Sequence, residues 1–151
     1  MKAKYLVIIG LLAATFVACS RDEKDLFDKP AAVRAREAVE NAFTVLTSQE
    51  AWEMAYFPNL EADAKGYNMI VKFDKNSKVS VTAKNSLTTQ NKIMTDANST
   101  WTVKSDYGPL LSFDTYNKVL HAFSDPDPYG AGHLGDYEFL ILKATPEVVV
   151  L

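Results

Sequence analysis

Cys19 is the only cysteine among the 151 residues, and its setting gives its thiol a use. Lys2 and Lys4 open the chain, residues 5–18 are apolar, and Phe16-Val17-Ala18 lead directly into Cys19. A basic start, a short apolar run and small residues before a cut site describe an export signal. With cysteine just after the cut the pattern reads as a lipobox, although the position three before the cysteine is usually leucine and is Phe16 here. In that chemistry the thiol takes a diacylglycerol, a peptidase cuts before Cys19, and the new amino terminus is acylated. Several acyl chains hold a protein at a membrane durably, where one binds only marginally. The alternative, an uncleaved membrane helix, needs ~20 apolar residues, more than residues 5–18 supply. An exported chain with a single cysteine has no intramolecular disulfide open to it, so lipidation also accounts for the lone thiol.

Two histidines follow, His121 within residues 118–124 and His133 in a glycine-rich loop, without the spacing of a zinc site. If Leu120 faces inward on a strand, alternation turns His121 outward, as a surface or half-buried structural histidine. Asp125, Asp127, Asp136 and Glu138 place hard oxygen ligands on one loop and on the strand that leaves it. Calcium takes such ligands, but the spacing is not DxDxDG, and Asp-Pro pairs also simply start turns. No metal site and no other cofactor is assigned on this pattern. There is no GxSxG and no glycine-rich phosphate loop, and lipidation removes Cys19 as a nucleophile. Carboxylate pairs for glycoside hydrolysis are defined by a separation in space, and none stands out here. Trp52, Tyr56, Tyr67, Trp101, Tyr107, Tyr116 and Tyr137 would suit a sugar or peptide platform, yet strands ordinarily use such residues as core and cross-strand pairs. Tyr129 is the aromatic expected to stand exposed. The candidate ligand loop is therefore Asp125, Asp127, Tyr129 and His133, because functional side chains gather on long loops held by rigid strands.

Removing residues 1–18 leaves 133, one domain's worth, and takes the net charge from −3 to −5 because Lys2 and Lys4 go with no acid. An acidic surface without a basic aromatic patch argues against nucleic acid as a partner. Ser20-Arg21-Asp22-Glu23-Lys24-Asp25 keeps a tether solvated. The boundaries that follow are a signal peptide over 1–18, a lipidated tether over 19–29 and a single helix-plus-β domain over 30–151.

The positioning elements read as one helix and then a meander. Residues 28–47 carry Pro30 in the first turn and an apolar stripe of Ala35, Val39, Ala42, Phe43 and Leu46, with Arg36 and Glu40 paired on the wet face. From Trp52 the period becomes two. Residues 52–58 read as a strand, with a second helix opened by Ser48 as the alternative. Residues 67–74 and 78–84 form a hairpin about Lys75-Asn76-Ser77. Residues 85–97 read as a loop; 99–105, 110–114, 118–124, 136–143 and 147–151 read as strands, with the exposed loop 125–135 among them. About eight short strands joined by tight turns predict a mainly β domain, an antiparallel meander as a lipocalin-like barrel or a sandwich. The chain stops at Val148-Val149-Val150-Leu151, an apolar strand with no polar residue after it, which predicts a continuation that covers it.

These residues resemble the DUF4302 lipoproteins of Bacteroidetes. The resemblance lies in the lipobox, the "VLTS" helix end before Trp52, Gly66-Tyr67-Asn68 leading into Val71-Lys72-Phe73, the run from Gly108 to Asn117 with His121, and Gly135-Asp136-Tyr137-Glu138-Phe139. It spans nearly the whole chain. Members of the family are longer, so the resemblance implies that this chain is an N-terminal portion. It implies no activity and carries over no catalytic residue. It does imply an accessory lipoprotein of an outer-membrane nutrient-uptake system, exposed at the cell surface near a TonB-dependent transporter. The expected function is a non-enzymatic component held by Cys19 that binds a glycan, a peptide or a partner protein. A surface hydrolase acting on the same nutrients, and a purely structural accessory of the transporter, are the alternatives.

Overall fold

The computed structural model describes residues 27–58, 66–126 and 133–151. The signal, Cys19, Asp127 and Tyr129 lie outside them. Residues 1–30 form a separate unit, of which the described part, 27–30, is exposed. Residues 31–151 form the second unit.

Helix α1, Ala31–Leu46, starts directly after Pro30, whose fixed φ and missing N–H suit a helix start. It buries Ala42, Val45 and Leu46, while Ala35, expected in the apolar stripe, is exposed. The stripe is rotated toward Val45 and spares the first turns. Arg36 and Glu40 do meet, at 3.6 Å on the wet face.

Six strands follow in one antiparallel sheet whose spatial order is the chain order. They are β1 Trp52–Tyr56, β2 Tyr67–Phe73, β3 Lys78–Ala83, β4 Met94–Ser105, β5 Pro109–Phe113 and β6 Glu138–Leu140. The sheet curls into a half-barrel, so the expected mainly β antiparallel meander preceded by one helix holds. A separate ribbon, β7 Lys143–Ala144 with β8 Val149–Val150, ends the chain. Its tip is tied to the approach to β1, where the Gln49 side-chain amide donates to the Pro146 carbonyl at 3.0 Å.

The hairpin β2–β3 has the expected turn. The Ser77 N–H donates to the Asp74 carbonyl at 3.1 Å, with Ser77 in the left-handed region at φ 62°. Two other expectations need correction. Residues 94–97 are not loop, because β4 begins at Met94 and pairs Met94 with Ala83 and Asp96 with Val81. The ladder then jumps to Ser99 opposite Val79, a bulge that puts one extra residue on β4. Inward positions therefore fall at 96, 99 and 101, and the broken alternation hides the strand. Residues 118–124 are not a strand either. They form a turn leading into a 3-10 helix, His121–Phe123, with Val119, Leu120, His121 and Phe123 all buried. The backbone bonds there are local, with the His121 N–H on the Asn117 carbonyl at 2.9 Å and the Phe123 N–H on the Leu120 carbonyl at 3.1 Å, so the segment coils instead of pairing with a neighbouring strand.

The core fills the concave side of the sheet. Trp101 is fully buried, with its ring stacked on Phe43 of α1 at 5.2 Å and edge-on to Phe73 of β2 at 4.7 Å. Tyr56 lies edge-on to Phe123 and Phe139 and donates its hydroxyl to the Asp136 carbonyl at 2.9 Å. Burial pushes this phenol up to about 12, so Tyr56 is a structural donor at any physiological pH. Gly135 passes so close that a Cβ there would fall 2.5 Å from both the Tyr56 hydroxyl and the Phe123 Cβ. That crowding is the physical need for glycine in the segment Gly135-Asp136-Tyr137.

Candidate functional site

The β4 bulge turns Asp96 and Ser99 into the interior, where each needs a partner. Segment 114–121 supplies them. The Asn117 amide donates to Ser99 Oγ at 2.7 Å and to the Asp96 carbonyl at 3.3 Å. Its Oδ1 accepts the N–H groups of Val119 and Leu120 at 3.0 and 3.1 Å. Asp96 accepts the N–H groups of Lys118 at 2.9 Å and Asn98 at 3.0 Å. Burial pushes the Asp96 carboxyl up, but those two N–H bonds and the Lys118 charge outweigh it and hold the group below its ordinary value. Side chains thus satisfy the turn's backbone, and residues 118–124 have no need of a neighbouring strand.

His121 is buried, not outward-facing as alternation suggested. Its Nδ1 accepts the Asn117 N–H at 3.0 Å, and its ring lies between Tyr137 at 4.8 Å and Tyr116 at 5.3 Å. Burial lowers its affinity for a proton below the ordinary 6.5, against the opposing pull of the Phe113 backbone and the Asp125 charge. The folded chain therefore binds fewer protons here than the unfolded chain. This contribution to stability is complete above the unfolded value of about 6.5 and is lost as pH falls below it toward the folded value. Urea midpoints are expected to fall between about pH 7.5 and about pH 5.5. A His121→Asn variant should show a smaller fall over the same window, and equal falls in both proteins would refute the assignment.

The tyrosines that flank His121 form the exposed part of this region. Tyr116 is 55% and Tyr137 44% exposed, and the Tyr116 hydroxyl donates to Asp125 Oδ2 at 2.5 Å. That bond comes first, ahead of burial, in raising the Tyr116 phenol above its ordinary value. The structure thus joins one loop residue named from sequence, Asp125, to Tyr116, a tyrosine assigned there mostly to packing. His133 is half-buried, edge-on to Phe123 at 6.5 Å, and does not join Asp125's hydrogen bond. Asp127 and Tyr129 are outside the described residues.

Glu138, offered as a calcium ligand, belongs to a cluster on the outer face of β4, β5 and β6. Lys104 Nζ lies 3.1 Å from Glu138, 3.2 Å from Asp114 and 2.9 Å from Ser112 Oγ. The Ser112 hydroxyl reaches Asp114 at 2.7 Å and Glu138 at 2.9 Å. A serine beside a lysine suggests a nucleophile and its base, but hydrogen bonds to Glu138 and Asp114 raise Lys104 and keep it an ammonium ion. Burial pushes Asp114 up, yet bonds from Ser112, Lys104 and Thr102 bring it below its ordinary value. Bonds from Ser112 and Lys104 lower Glu138 as well. A general acid and base need carboxyl groups whose proton affinities are pushed apart, and these two move the same way. The cluster ties three strands together. Among the described residues, no group of three or more His, Cys, Asp and Glu is placed to hold a metal ion.

An apolar cavity of about 400 Å³ lies beside β1, floored in part by Leu46, Val71 and Leu111. Sequence reading missed it, because its walls come from distant segments. It missed the Asp96–Asn117 network for the same reason, although Asn117 ahead of two buried residues is a legible cap.

Neither a curated protein nor a solved structure matches the chain. A family model described as a domain of unknown function (DUF4302) matches residues 23–151. Since that match takes in α1, the whole meander and the 114–121 segment that closes the β4 bulge, the chain belongs to the DUF4302 family.

Proposed function

We propose that this chain is a lipid-anchored, non-enzymatic binding component of a Bacteroidetes nutrient-uptake system. Residues 1–18 direct export, Cys19 carries the acyl chains, and the domain faces outward from the outer membrane near a TonB-dependent transporter. Its ligand is a glycan or a peptide, met first by the 125–135 loop and its base. The observation that carries this reading is the exposed pair Tyr116 and Tyr137, each packed against the His121 ring, with the Asp125 carboxylate bonded to Tyr116. Aromatic faces next to a carboxylate suit the CH faces and hydroxyls of sugars, or the side chains and amides of a peptide. The serine, lysine and carboxylates with reactive potential are instead engaged with one another, which favours binding over hydrolysis.

Two measurements test it. Cells given labelled fatty acid should transfer the label to the wild-type chain and none to Cys19→Ala; label on the variant removes the anchor. Calorimetric titration of the full chain in detergent against panels of oligosaccharides and peptides should find a ligand whose affinity falls about tenfold or more in Tyr116→Ala/Tyr137→Ala, the loss of two aromatic contacts. Equal affinity in that variant places the ligand elsewhere.

A further inference from the structure

Among the described residues, no lysine or arginine pairs with the exposed Asp125 carboxylate, and its Oδ1 meets no hydrogen-bond donor. Its Oδ2 accepts the Tyr116 hydroxyl, a neutral donor. Other acids of this region are compensated. Lys104 pairs with both Asp114 and Glu138, and Asp96 is held by two backbone N–H groups and the Lys118 charge. Residues 116–137 hold Asp125, Asp127 and Asp136, with Lys118 as their one lysine or arginine. His121 brings no positive charge at neutral pH either, since burial keeps its ring below the ordinary 6.5. A carboxylate without a cation therefore stands at the hydroxyl end of an exposed aromatic ring.

We propose that the tyrosine face takes an arginine side chain of a basic peptide, with the guanidinium laid on the Tyr116 ring and its N–H groups donating to Asp125 Oδ1. The chemistry of the face selects that group. A cation within about 6 Å of a tyrosine centroid is attracted to the ring, and a guanidinium stacks flat on it where an ammonium keeps its water. The fork of N–H donors also reaches past the ring edge, and Asp125 is bonded to that edge through the Tyr116 hydroxyl. A sugar hydroxyl would find an acceptor there too, but a guanidinium adds its charge and its stacking to the same bond. Tyr137, packed on the same His121 ring and partly exposed, offers the peptide a second aromatic surface. The chain's net charge of −3 favours the approach of a basic peptide over an acidic one. An arginine ligand presupposes that the tyrosine face is the ligand site, and it narrows the class from glycans and peptides to arginine-bearing peptides.

The test titrates the full chain in neutral detergent, by calorimetry, with a capped peptide alternating glycine and arginine. A second titration uses the same peptide carrying citrulline, the neutral isostere of arginine. The arginine peptide should bind saturably, and the citrulline peptide about tenfold more weakly. Asp125→Asn should weaken the arginine peptide about tenfold and leave the citrulline peptide unchanged, while Asp125→Glu should retain most of the preference. Tyr116→Ala/Tyr137→Ala should weaken both peptides. Equal affinity for the two peptides, lost in the tyrosine variant, overturns the arginine ligand and leaves the tyrosine face as the ligand site. Absence of saturable binding by the arginine peptide overturns it too, and an oligosaccharide that then needs both tyrosines upholds the face alone. A preference for arginine that survives both in Asp125→Asn and in the tyrosine variant overturns the ligand's placement and the face together.

Discussion

Replacing Asn117 with alanine should lower stability by about 3–5 kcal/mol, a large part of what a domain of this size possesses. Asn117 is fully buried, and its side chain serves four partners: the N–H groups of Val119 and Leu120, Ser99 Oγ and the Asp96 carbonyl. Alanine leaves two backbone donors facing a space that excludes water, each a cost of about 1–3 kcal/mol, partly recovered by relaxation, while the Ser99 hydroxyl keeps the Val79 carbonyl at 3.4 Å. The consequence should spread, because the same turn presents Lys118 N–H to Asp96 and Asn117 N–H to His121. Asn85 is the control. Its Oδ1 accepts the N–H groups of Leu87 and Thr88 in a similar way, but Leu87 is exposed and water can take over. Asn85→Ala should cost about 1 kcal/mol. Urea unfolding of both variants checks the pair; equal costs would mean that the 114–121 turn does not depend on its buried cap.

That contrast also shows what was legible in the sequence. The β2–β3 hairpin was readable because its determinants are local: two alternating runs and a turn in which Asp74 accepts the Asn76 N–H through its side chain. β4 was half readable. Its second part alternates about Trp101, whereas the bulge between the partners of Val79 and Val81 breaks the period just where Asp96 and Ser99 turn inward. Two polar residues at core positions look like loop until their partner is known, and Asn117 lies far along the chain. His121 was misplaced for the same reason, since a histidine with a backbone donor for its Nδ1 can be buried where alternation would expose it. At the tyrosine face, Asp125 was legible as a loop acid, but its link to Tyr116 depends on the 3-10 turn folding the chain back.

Trp101→Ala is expected to cost about 3–5 kcal/mol, and its value lies in what fails with it. The indole is the joint between the two layers. It stacks on Phe43 of α1 at 5.2 Å, meets Phe73 of β2 at 4.7 Å, and donates Nε1–H to the Asp74 carbonyl at 3.1 Å. Truncation removes the ring that fills the concavity of the sheet beneath α1, and two neighbouring aromatics lose a face. The surrounding strands are held by their ladders and cannot collapse fully into the void, so the cost should include a cavity as well as lost transfer energy. Trp101→Phe separates these contributions. It keeps an aromatic stack and most of the volume but leaves the Asp74 carbonyl without the indole N–H, so it should cost about 1–2 kcal/mol. Because α1 meets the sheet through Phe43, amide exchange in the second half of the helix should accelerate in the alanine variant and stay near wild type in the phenylalanine variant. If helix exchange is unchanged in both, α1 is held by Ala42, Val45 and Leu46 alone, and Trp101 is a filler of the sheet with no part in joining the layers.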